Sequence, residues 1–220
     1  MIISELIKWK YIDYKRDKED VKNGVVKFKP FGVWMFCGRQ GSGKTIGMVH
    51  QLEEMRKQYP KAIICTNFAY AHENYRMKSL NDLLTIRNGK DGVIFAIDEL
   101  QNEFSSAVSK DFPETLLSVV TMQRKQRICI LTTSQVFTRV AKPLREQCFY
   151  VIDCRTMFGR YTRLRCYSAD DYNTIINKSD VVEAKMKLHK EWKKSFVQTD
   201  ELRELYDTYA VVERLSRDGF

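Results

Sequence analysis

The sequence predicts an α/β protein in which a mostly parallel central sheet is flanked by helices, with a small helical region at the C-terminus. Short runs of apolar, largely β-branched residues alternate along the chain with stretches of helical periodicity. These runs are apolar throughout, as in parallel strands whose sheet is covered by helices on both faces. The length of 220 residues suffices for one such domain with a proper core and a small appendage.

The first half of the chain alternates strand and helix regularly. Its predicted elements are strand 33–37, helix 45–59, strand 62–66, helix 79–86 and strand 93–97. Pro60 closes the first helix, because proline cannot continue the helical hydrogen-bond ladder. Ser79 is a candidate N-cap of the second helix, and Asn88 with Gly89 ends that helix in a turn.

The second half begins in the same way and then changes character. Its predicted elements are helix 113–126 and strands 128–132, 149–153 and 160–167. Pro113 suits the first turn of the helix, and Phe158 with Gly159 can form the tip of a hairpin between the last two strands. From Ser168 onward the sequence is charged and helical in texture, and Trp192 and Phe196 follow helical spacing. We therefore divide the chain into a lead-in (1–32), a core (33–167) and a small helical C-terminal region (168–220).

The overall composition is that of a soluble globular protein. Hydrophobic residues make up 44% of the chain and charged residues 30%, and the longest apolar runs are far shorter than a membrane span. The charged N-terminal stretch does not resemble a signal peptide, so we expect a cytoplasmic protein with no membrane association. The six cysteines show no CxxC spacing, which favours reduced, buried thiols over a metal site.

The net charge of +9 is concentrated in one part of the chain. Residues 121–165 contain ten Lys/Arg side chains, opposed by Glu146 and Asp153, which gives this stretch a net charge of +8. Residues 181–220, in contrast, balance eight basic against eight acidic side chains. A concentrated basic block indicates a polyanionic partner, although scattered surface lysines remain an alternative.

A glycine-rich motif follows the first predicted strand. It consists of Gly38, Arg39, Gln40, Gly41, Ser42, Gly43, Lys44 and Thr45 and fits the pattern G-x-x-x-x-G-K-[ST]. The glycines let backbone N–H groups surround the phosphates of ATP, Lys44 supplies a charge to them, and the Thr45 hydroxyl is a ligand for Mg²⁺. A strand precedes the motif and a helix follows it, as phosphate binding requires.

Two adjacent carboxylates follow the third predicted strand. Asp98 is placed to contact the Mg²⁺ ion, and Glu99 to act as the general base toward the attacking water. Carboxylates after an apolar strand are common turn residues, so the pair gains its meaning from the phosphate-binding motif upstream. Thr133 and Gln135, at the end of the fourth strand, are candidate sensors of the γ-phosphate, and the longer reach of Gln135 favours it.

The order of these motifs resembles the FtsK/HerA branch of P-loop ATPases, over roughly residues 33–154. The resemblance rests on the phosphate-binding loop, Thr66-Asn67, Asp98-Glu99, and the segment from Arg124 through the fourth strand. It is closest to genome-packaging motor ATPases of small tailed phages, and next to Zot-like phage assembly ATPases. It implies a RecA/ASCE-like P-loop NTPase core for residues 33–167. It also implies that Arg124 reaches into the ATP site of the next subunit as an arginine finger.

The resemblance implies partners as well as a reaction. A packaging motor is a homo-oligomeric ring, here expected to contain five or six subunits, which grips the backbone of double-stranded DNA and docks on a phage portal or procapsid in the host cytoplasm. The candidate DNA contacts are Lys142, Arg145, Arg155, Arg160 and Arg163. Zot-like proteins usually have a membrane-spanning helix, for which we find no candidate. A Zot-like extrusion ATPase, a plasmid DNA-transfer ATPase and a nucleotide-binding module with little turnover remain alternatives.

Overall fold

The apolar runs of the sequence become strands of one eight-stranded sheet. The computed structural model describes residues 2–100, 123–176 and 181–207, and the structural account is confined to them. The strands are β1 (Gly32–Cys37), β2 (Ile63–Thr66), β3 (Tyr75–Arg76), β4 (Val93–Ile97), β5 (Ile128–Ser134), β6 (Cys148–Met157), β7 (Tyr161–Ser168) and β8 (Trp192–Val197). Their order in the sheet is β3-β2-β4-β5-β1-β6-β7-β8.

The helices lie between these strands. They are α1 (Ile2–Lys22), α2 (Lys44–Gln58), α3 (Asp82–Thr85), α4 (Gln123–Gln126), α5 (Lys142–Arg145), α6 (Ala169–Ile175), α7 (Val181–Lys187) and α8 (Asp200–Glu204). The predicted helix 113–126 appears as α4, and the rest of it lies outside the described residues. The predicted helix 79–86 is shorter than expected, with Ser79 Oγ accepting from the backbone N–H of Asn81 just before it. Within the described ranges, no helix is both long and apolar enough to cross a lipid bilayer.

The strands are parallel from β3 to β6, and β7 and β8 are antiparallel. This confirms the mostly parallel α/β sheet and the predicted hairpin of β6 and β7. In β4, alternate side chains point to opposite faces, and both sets are fully buried. Val93 and Phe95 join a core on one face, whereas Ile94 joins a second core that α2 covers with residues such as Leu52.

The prediction of helix for residues 192–197 is wrong. This segment forms β8, which pairs antiparallel with β7 and so extends the core sheet. Trp192, Lys194 and Phe196 are half-buried, and the residues between them are exposed, which is the period of a strand. The spacing of Trp192 and Phe196 fits a helix as well as a strand, and Lys194 conceals the alternation because its ammonium group binds Gln51 and Glu54 of α2.

The lead-in contains a helix that the sequence analysis did not identify. Helix α1 has no buried residue, and its apolar side chains, Ile3 and Trp9 among them, are largely exposed. In the C-terminal region, Ser168 directly precedes α6, and Thr199 precedes α8 and accepts a hydrogen bond from the Leu202 N–H. The division of the chain at residues 32 and 167 remains a prediction.

A buried carboxylate ties α2 to the segment that follows β2. Burial acts to raise the pKa of Glu53, but hydrogen bonds from Arg56, Tyr70 and His72 outweigh it and lower the pKa from 4.5 to about 2. The Arg56 and His72 nitrogens lie 2.9 and 2.8 Å from its oxygens. Because Tyr70 and His72 lie beyond β2, this one side chain fixes where the chain runs after that strand.

We expect Glu53→Gln to destabilise the fold in a pH-dependent way. A carboxylate with a lowered folded-state pKa contributes stability above its unfolded value, and this stability is lost as the pH falls toward about 2. Urea unfolding should show a loss of about 1–3 kcal/mol at pH 7 that disappears near pH 2. Glu54→Gln, on an exposed ion pair of the same helix, should cost less than about 1 kcal/mol at any pH. Equal losses at pH 7 and pH 2 would contradict this account of Glu53.

Candidate active site

The residues predicted to bind phosphate and Mg²⁺ lie at one edge of the sheet because the central strands are parallel and in register. Thr132 of β5 pairs with Ile97, the last residue of β4, and with Met35 of β1, and two residues further β5 and β1 end together at Ser134 and Cys37. Asp98 and the glycine-rich loop directly follow β4 and β1, and Thr133 is the last residue but one of β5. This is the edge where parallel α/β sheets bind ligands.

The glycine-rich loop has the backbone shape of a phosphate cradle. Gly38 and Gly43 have φ angles of 154° and 83°, and a Cβ atom at either would collide with a side-chain oxygen, of Ser42 and Thr156 respectively. Helix α2 begins directly after the loop, and no side chain caps its N-terminus, so its first N–H groups are available to an anion. Gln40 and Gly41 form the exposed crest of the loop.

Two polar side chains of the loop fit the binding of phosphate. Lys44 is buried, and its ammonium group donates to the carbonyl oxygen of Arg39, 3.3 Å away. The hydroxyl of Ser42 is buried and has no hydrogen-bond partner within the described part of the chain. A buried polar atom without a partner is costly unless a ligand supplies one. The loop therefore fits the triphosphate of ATP.

The residues predicted to hold Mg²⁺ are in contact with one another. The Thr45 hydroxyl lies 3.2 and 3.1 Å from the two carboxylate oxygens of Asp98, and the Thr133 hydroxyl also donates to that carboxylate. Burial raises the pKa of Asp98, and the hydrogen bonds from Thr133 and Thr45 act against this rise. One carboxylate and one hydroxyl beside a phosphate site are a donor set that Mg²⁺ accepts, since the substrate provides further oxygens. When bound there, Mg²⁺ would neutralise charge on the β- and γ-phosphates.

Asn67 is a site residue that the sequence analysis named only as part of the resemblance, in Thr66-Asn67, and to which it assigned no role. Its side chain is almost fully buried and makes two hydrogen bonds to the backbone of Asp98, the residue after β4. The Asn67 Oδ1 accepts from the Asp98 N–H (2.7 Å), and the Asn67 Nδ2 donates to the Asp98 carbonyl (3.2 Å). The amide thus continues the ladder between β2 and β4 by one residue. In the sequence, Asn67 is recognisable only as an amide directly after a predicted strand. Its role becomes clear once β2 is known to lie beside β4.

The backbone turns sharply at Glu99, the predicted general base. Glu99 has a φ angle of 53°, which non-glycine residues rarely adopt and which is common at strained functional sites. Its N–H donates to the Thr133 hydroxyl over 2.8 Å, and that hydroxyl in turn donates to Asp98. Thr133 therefore fixes both acidic residues, one through its side chain and one through its backbone.

The structure separates the two candidate sensors. Thr133 contacts Asp98 directly, whereas Gln135 lies one residue beyond β5, half-buried, and its side chain makes none of the hydrogen bonds found among the described residues. The proposed role of Gln135 at the γ-phosphate remains a prediction.

Arg124 lies at the opposite edge of the sheet from its own candidate site. It is exposed in α4, just before β5 begins, and its guanidinium lies 5.6 Å from the centre of the Phe31 ring, next to the start of β1. The seven residues of β5 span about 20 Å at the usual rise of a strand. Arg124 is therefore too far away to contact ATP held by its own chain.

The candidate DNA contacts fall into separate places. Arg155 and Arg163 face each other across β6 and β7, whereas Arg160 is bound to the Gln198 carbonyl and the Asp200 carboxylate. Lys142 and Arg145 lie in α5, before β6 begins, about 20 Å from Arg155 along the strand. Lys142 lies 3.6 Å from the Glu146 carboxylate, and the Arg145 guanidinium lies over the Phe137 ring.

Strands β7 and β8 add two basic residues, Arg165 and Lys193, beside Arg155 and Arg163. Strand register places Arg165 next to Asp153 on β6 and next to Lys193 on β8, on the same face as the arginine pair. We call Arg155, Arg163, Arg165 and Lys193 the basic patch. Asp153, the acidic residue among them, is already paired with Lys185 at 2.9 Å. Like charges directly opposite each other destabilise a sheet, so this arrangement favours a polyanionic ligand.

We expect Asn67→Ala to slow ATP hydrolysis while leaving ATP binding almost intact. The substitution removes two hydrogen bonds that position Asp98, but touches none of the groups of the phosphate cradle. Steady-state kinetics should show kcat lowered about 10- to 100-fold, equivalent to the loss of one or two well-placed hydrogen bonds. The matched control is Asn88→Ala, which also removes a side-chain amide with two hydrogen bonds to the backbone, here to the carbonyls of Lys61 and Gly92 at the other edge of the sheet. Equal effects of the two substitutions on kcat would contradict a specific role of Asn67 in positioning Asp98.

Comparison with known proteins supports the fold of this site. The sequence matches no protein-family profile and no curated protein. In structure, the chain is similar to the N-terminal domain of zonular occludens toxin from Neisseria meningitidis (TM-score 0.57, 18% identity, 80% of this chain and 98% of that one). A weaker similarity links it to the genome packaging NTPase B204 from Sulfolobus turreted icosahedral virus 2 in complex with ATP-gammaS (TM-score 0.48, 11% identity, 79% and 94%). The expected relationship to P-loop ATPases is thus confirmed at the level of the fold: the chain has a P-loop NTPase fold with a mostly parallel sheet.

Proposed function

We propose that this chain is an ATP-hydrolysing motor that works in a homo-oligomeric ring and moves double-stranded DNA, packaging a phage genome into a procapsid. The observation that carries the proposal is the contact of Thr45, Asp98 and Thr133 beside a phosphate cradle, on a P-loop NTPase fold. The place of action would be the host cytoplasm, at the portal of the procapsid.

In the proposed reaction, the chain's own residues bind the triphosphate and activate water. The loop N–H groups and Lys44 hold the β- and γ-phosphates, and Asp98 with Thr45 would hold Mg²⁺ beside them. Glu99 accepts a proton from the attacking water as general base, and the products are ADP and phosphate. Asn67 and Thr133 keep the two carboxylates in position.

The position of Arg124 supports action in a ring. It is exposed and lies about 20 Å from its own site, so it can serve as an arginine finger only for a neighbouring subunit. A contact from one edge of a subunit to the opposite edge of the next is heterologous, and such contacts form a ring when the rotation between neighbours closes. We propose five or six subunits, as in the motors that the sequence resembles.

The basic patch supports a grip on DNA. Arg155 and Lys193 are exposed and Arg163 and Arg165 half-buried, and none of the four is in an ion pair with another described residue. Contacts of this kind bind the phosphate backbone without reading its sequence, as a motor requires.

A Zot-like phage assembly ATPase is the second candidate, and the similarity to the toxin domain favours it. Such an enzyme would hydrolyse ATP with the same residues but would not need to grip duplex DNA. The response of the ATPase rate to DNA distinguishes the two candidates.

We expect long double-stranded DNA to stimulate ATP hydrolysis. Because contacts to phosphates weaken with salt, the affinity of the protein for DNA should fall about tenfold or more between 50 and 200 mM salt, and the stimulation should fall with it. Arg155→Ala with Arg163→Ala should remove most of the stimulation and keep the basal rate. Glu99→Gln should abolish hydrolysis with and without DNA. The measurement is the steady-state ATPase rate across a DNA titration.

The control for this experiment is Lys57→Ala with Lys61→Ala. This control also removes two positive charges, but from exposed positions outside the basic patch. Equal loss of stimulation in both double variants would show a general charge effect and contradict the role of the patch. An ATPase rate that DNA does not change in the wild-type chain would favour the assembly ATPase.

We expect Arg124→Ala to bind ATP normally and to hydrolyse it at least about 1,000-fold more slowly in the assembled state. Mixing it with Glu99→Gln should restore activity, because an Arg124→Ala subunit keeps its own site and receives the finger of its neighbour. Lys125→Ala, an exposed neighbour in α4, is the control and should retain the wild-type rate. Failure of mixing to restore hydrolysis in assembled rings would exclude action in trans.

A further inference from the structure

A C-terminal segment crosses the edge of the sheet that carries the candidate active site. We call residues 198–207 the strap. At one end, the backbone of Gln198 exchanges hydrogen bonds with Arg160 at the hairpin tip, 2.8 and 2.9 Å long. At the other end, the strap pairs with the chain beyond β2: the Ala71 N–H donates to the Leu205 carbonyl, and Tyr206 bridges to Tyr70. Both ends are thus fixed to the core.

The strap forms one wall of the cavity above the phosphate cradle. This cavity has a volume of about 300 Å³, and its lining includes Gly41, Lys44 and Thr45 on one side and Gln198, Arg203 and Tyr206 on the other. Arg203 is therefore a cationic residue that shares a cavity with the loop that binds the phosphates. The sequence analysis did not select it, because it lies 158 positions beyond Thr45 in a segment with no motif.

Arg203 is held in a fixed orientation by neutral groups. Its Nε and Nη2 donate to the side-chain oxygen of Gln198 (3.1 and 2.8 Å), and Nη2 also donates to the Gly159 carbonyl (2.8 Å). The Gln198 amide is buried, and its nitrogen donates to Thr162 (2.7 Å) and Thr156 (3.3 Å). This arrangement fixes which end of the amide faces the guanidinium.

The same network reaches the phosphate-binding loop itself. The Thr156 hydroxyl donates to the carbonyl of Ser42 over 3.1 Å. A chain of hydrogen bonds therefore runs from the loop through Thr156 and Gln198 to Arg203. The guanidinium is positioned relative to the phosphate cradle, although it belongs to a distant part of the sequence.

The charge of Arg203 is not neutralised by the groups that hold it. All its acceptors are carbonyl oxygens, and within the described ranges no carboxylate lies within 4 Å of it, unlike Arg160, which pairs with Asp200. Its Nη1 donates to no described group. Toward the described residues, this oriented guanidinium still has N–H groups to donate and a charge that no carboxylate offsets, and it matches a phosphate oxygen in charge and in geometry.

We propose that Arg203 binds the phosphate chain of the ATP held by the loop of the same chain. The inference rests on the proposed ATPase function, and it gives the site two arginines of different origin: Arg203 in cis from the strap, and Arg124 in trans from a neighbour. Because Arg203 is fixed before ATP arrives, it adds affinity for the nucleotide in the isolated subunit.

The test is the affinity of three variants for two probes, ATP and inorganic tripolyphosphate, measured by competition with a fluorescent ATP analogue in the presence of Mg²⁺. Arg203→Gln should weaken both probes about tenfold or more, as expected for the loss of a charge-assisted hydrogen bond. Arg203→Lys, which keeps the charge, should recover part of the affinity for both. Arg87→Gln is the matched control, because Arg87 is also half-buried and its hydrogen bonds within the described residues go to neutral carbonyl groups, those of the Leu83 and Ile86 backbone.

Each outcome decides the proposal. Unchanged ATP affinity in Arg203→Gln would overturn it. So would loss of ATP affinity with tripolyphosphate affinity preserved, which would place Arg203 at the base or ribose. Equal losses in Arg203→Gln and Arg203→Lys together with a lowered melting temperature would show that it only supports the strap. Lys44→Ala separates this proposal from the proposed function: if that variant binds ATP like the wild type, the ATPase assignment itself fails.

Discussion

The rest of the candidate site depends on the buried carboxylate of Asp98. It receives hydrogen bonds from Thr45 and Thr133, and its backbone is bound on both sides by Asn67. These three partners come from the helix after β1, the end of β5 and the end of β2, so Asp98 joins these elements in one network through its carboxylate and its backbone. A charge at this depth is stable only when it is paired or hydrogen-bonded, or when it binds a metal. Its surroundings thus couple the folding of the sheet edge to the chemistry of the site.

Much of the fold and half of the site could be predicted from the sequence, because both depend on local patterns. The runs 93–97 and 128–132 are apolar on both faces, which indicates a parallel sheet, and the spacing of Lys44 and Thr45 after Gly38 indicates phosphate binding wherever it follows a strand. Parallel strands place their carboxyl ends together. Hence Asp98 is expected beside Thr45 although 53 positions separate them.

The remainder could not be predicted, because it depends on which segments become neighbours. Asn67 acquires its role from the placement of β2 beside β4, and Arg203 from the antiparallel strand β8, which delivers the strap to the cavity. That strand has the sequence spacing of a helix, since Lys194 occupies an inward position by binding Gln51 and Glu54. The sequence also does not show which charges are already paired: Arg160, near the tip of the hairpin, binds the Gln198 carbonyl and the Asp200 carboxylate of the strap.

In the hairpin of β6 and β7, a residue that contacts the phosphate-binding loop and a residue of the basic patch are neighbours in sequence. Thr156 bonds the carbonyl of Ser42 on one face of β6, and the adjacent Arg155 belongs to the basic patch on the other face. Successive side chains of a strand point in opposite directions, and their Cα atoms are about 3.8 Å apart. In the proposed motor, a displacement of the loop at Ser42 would therefore pass to the basic patch through a single peptide unit of β6.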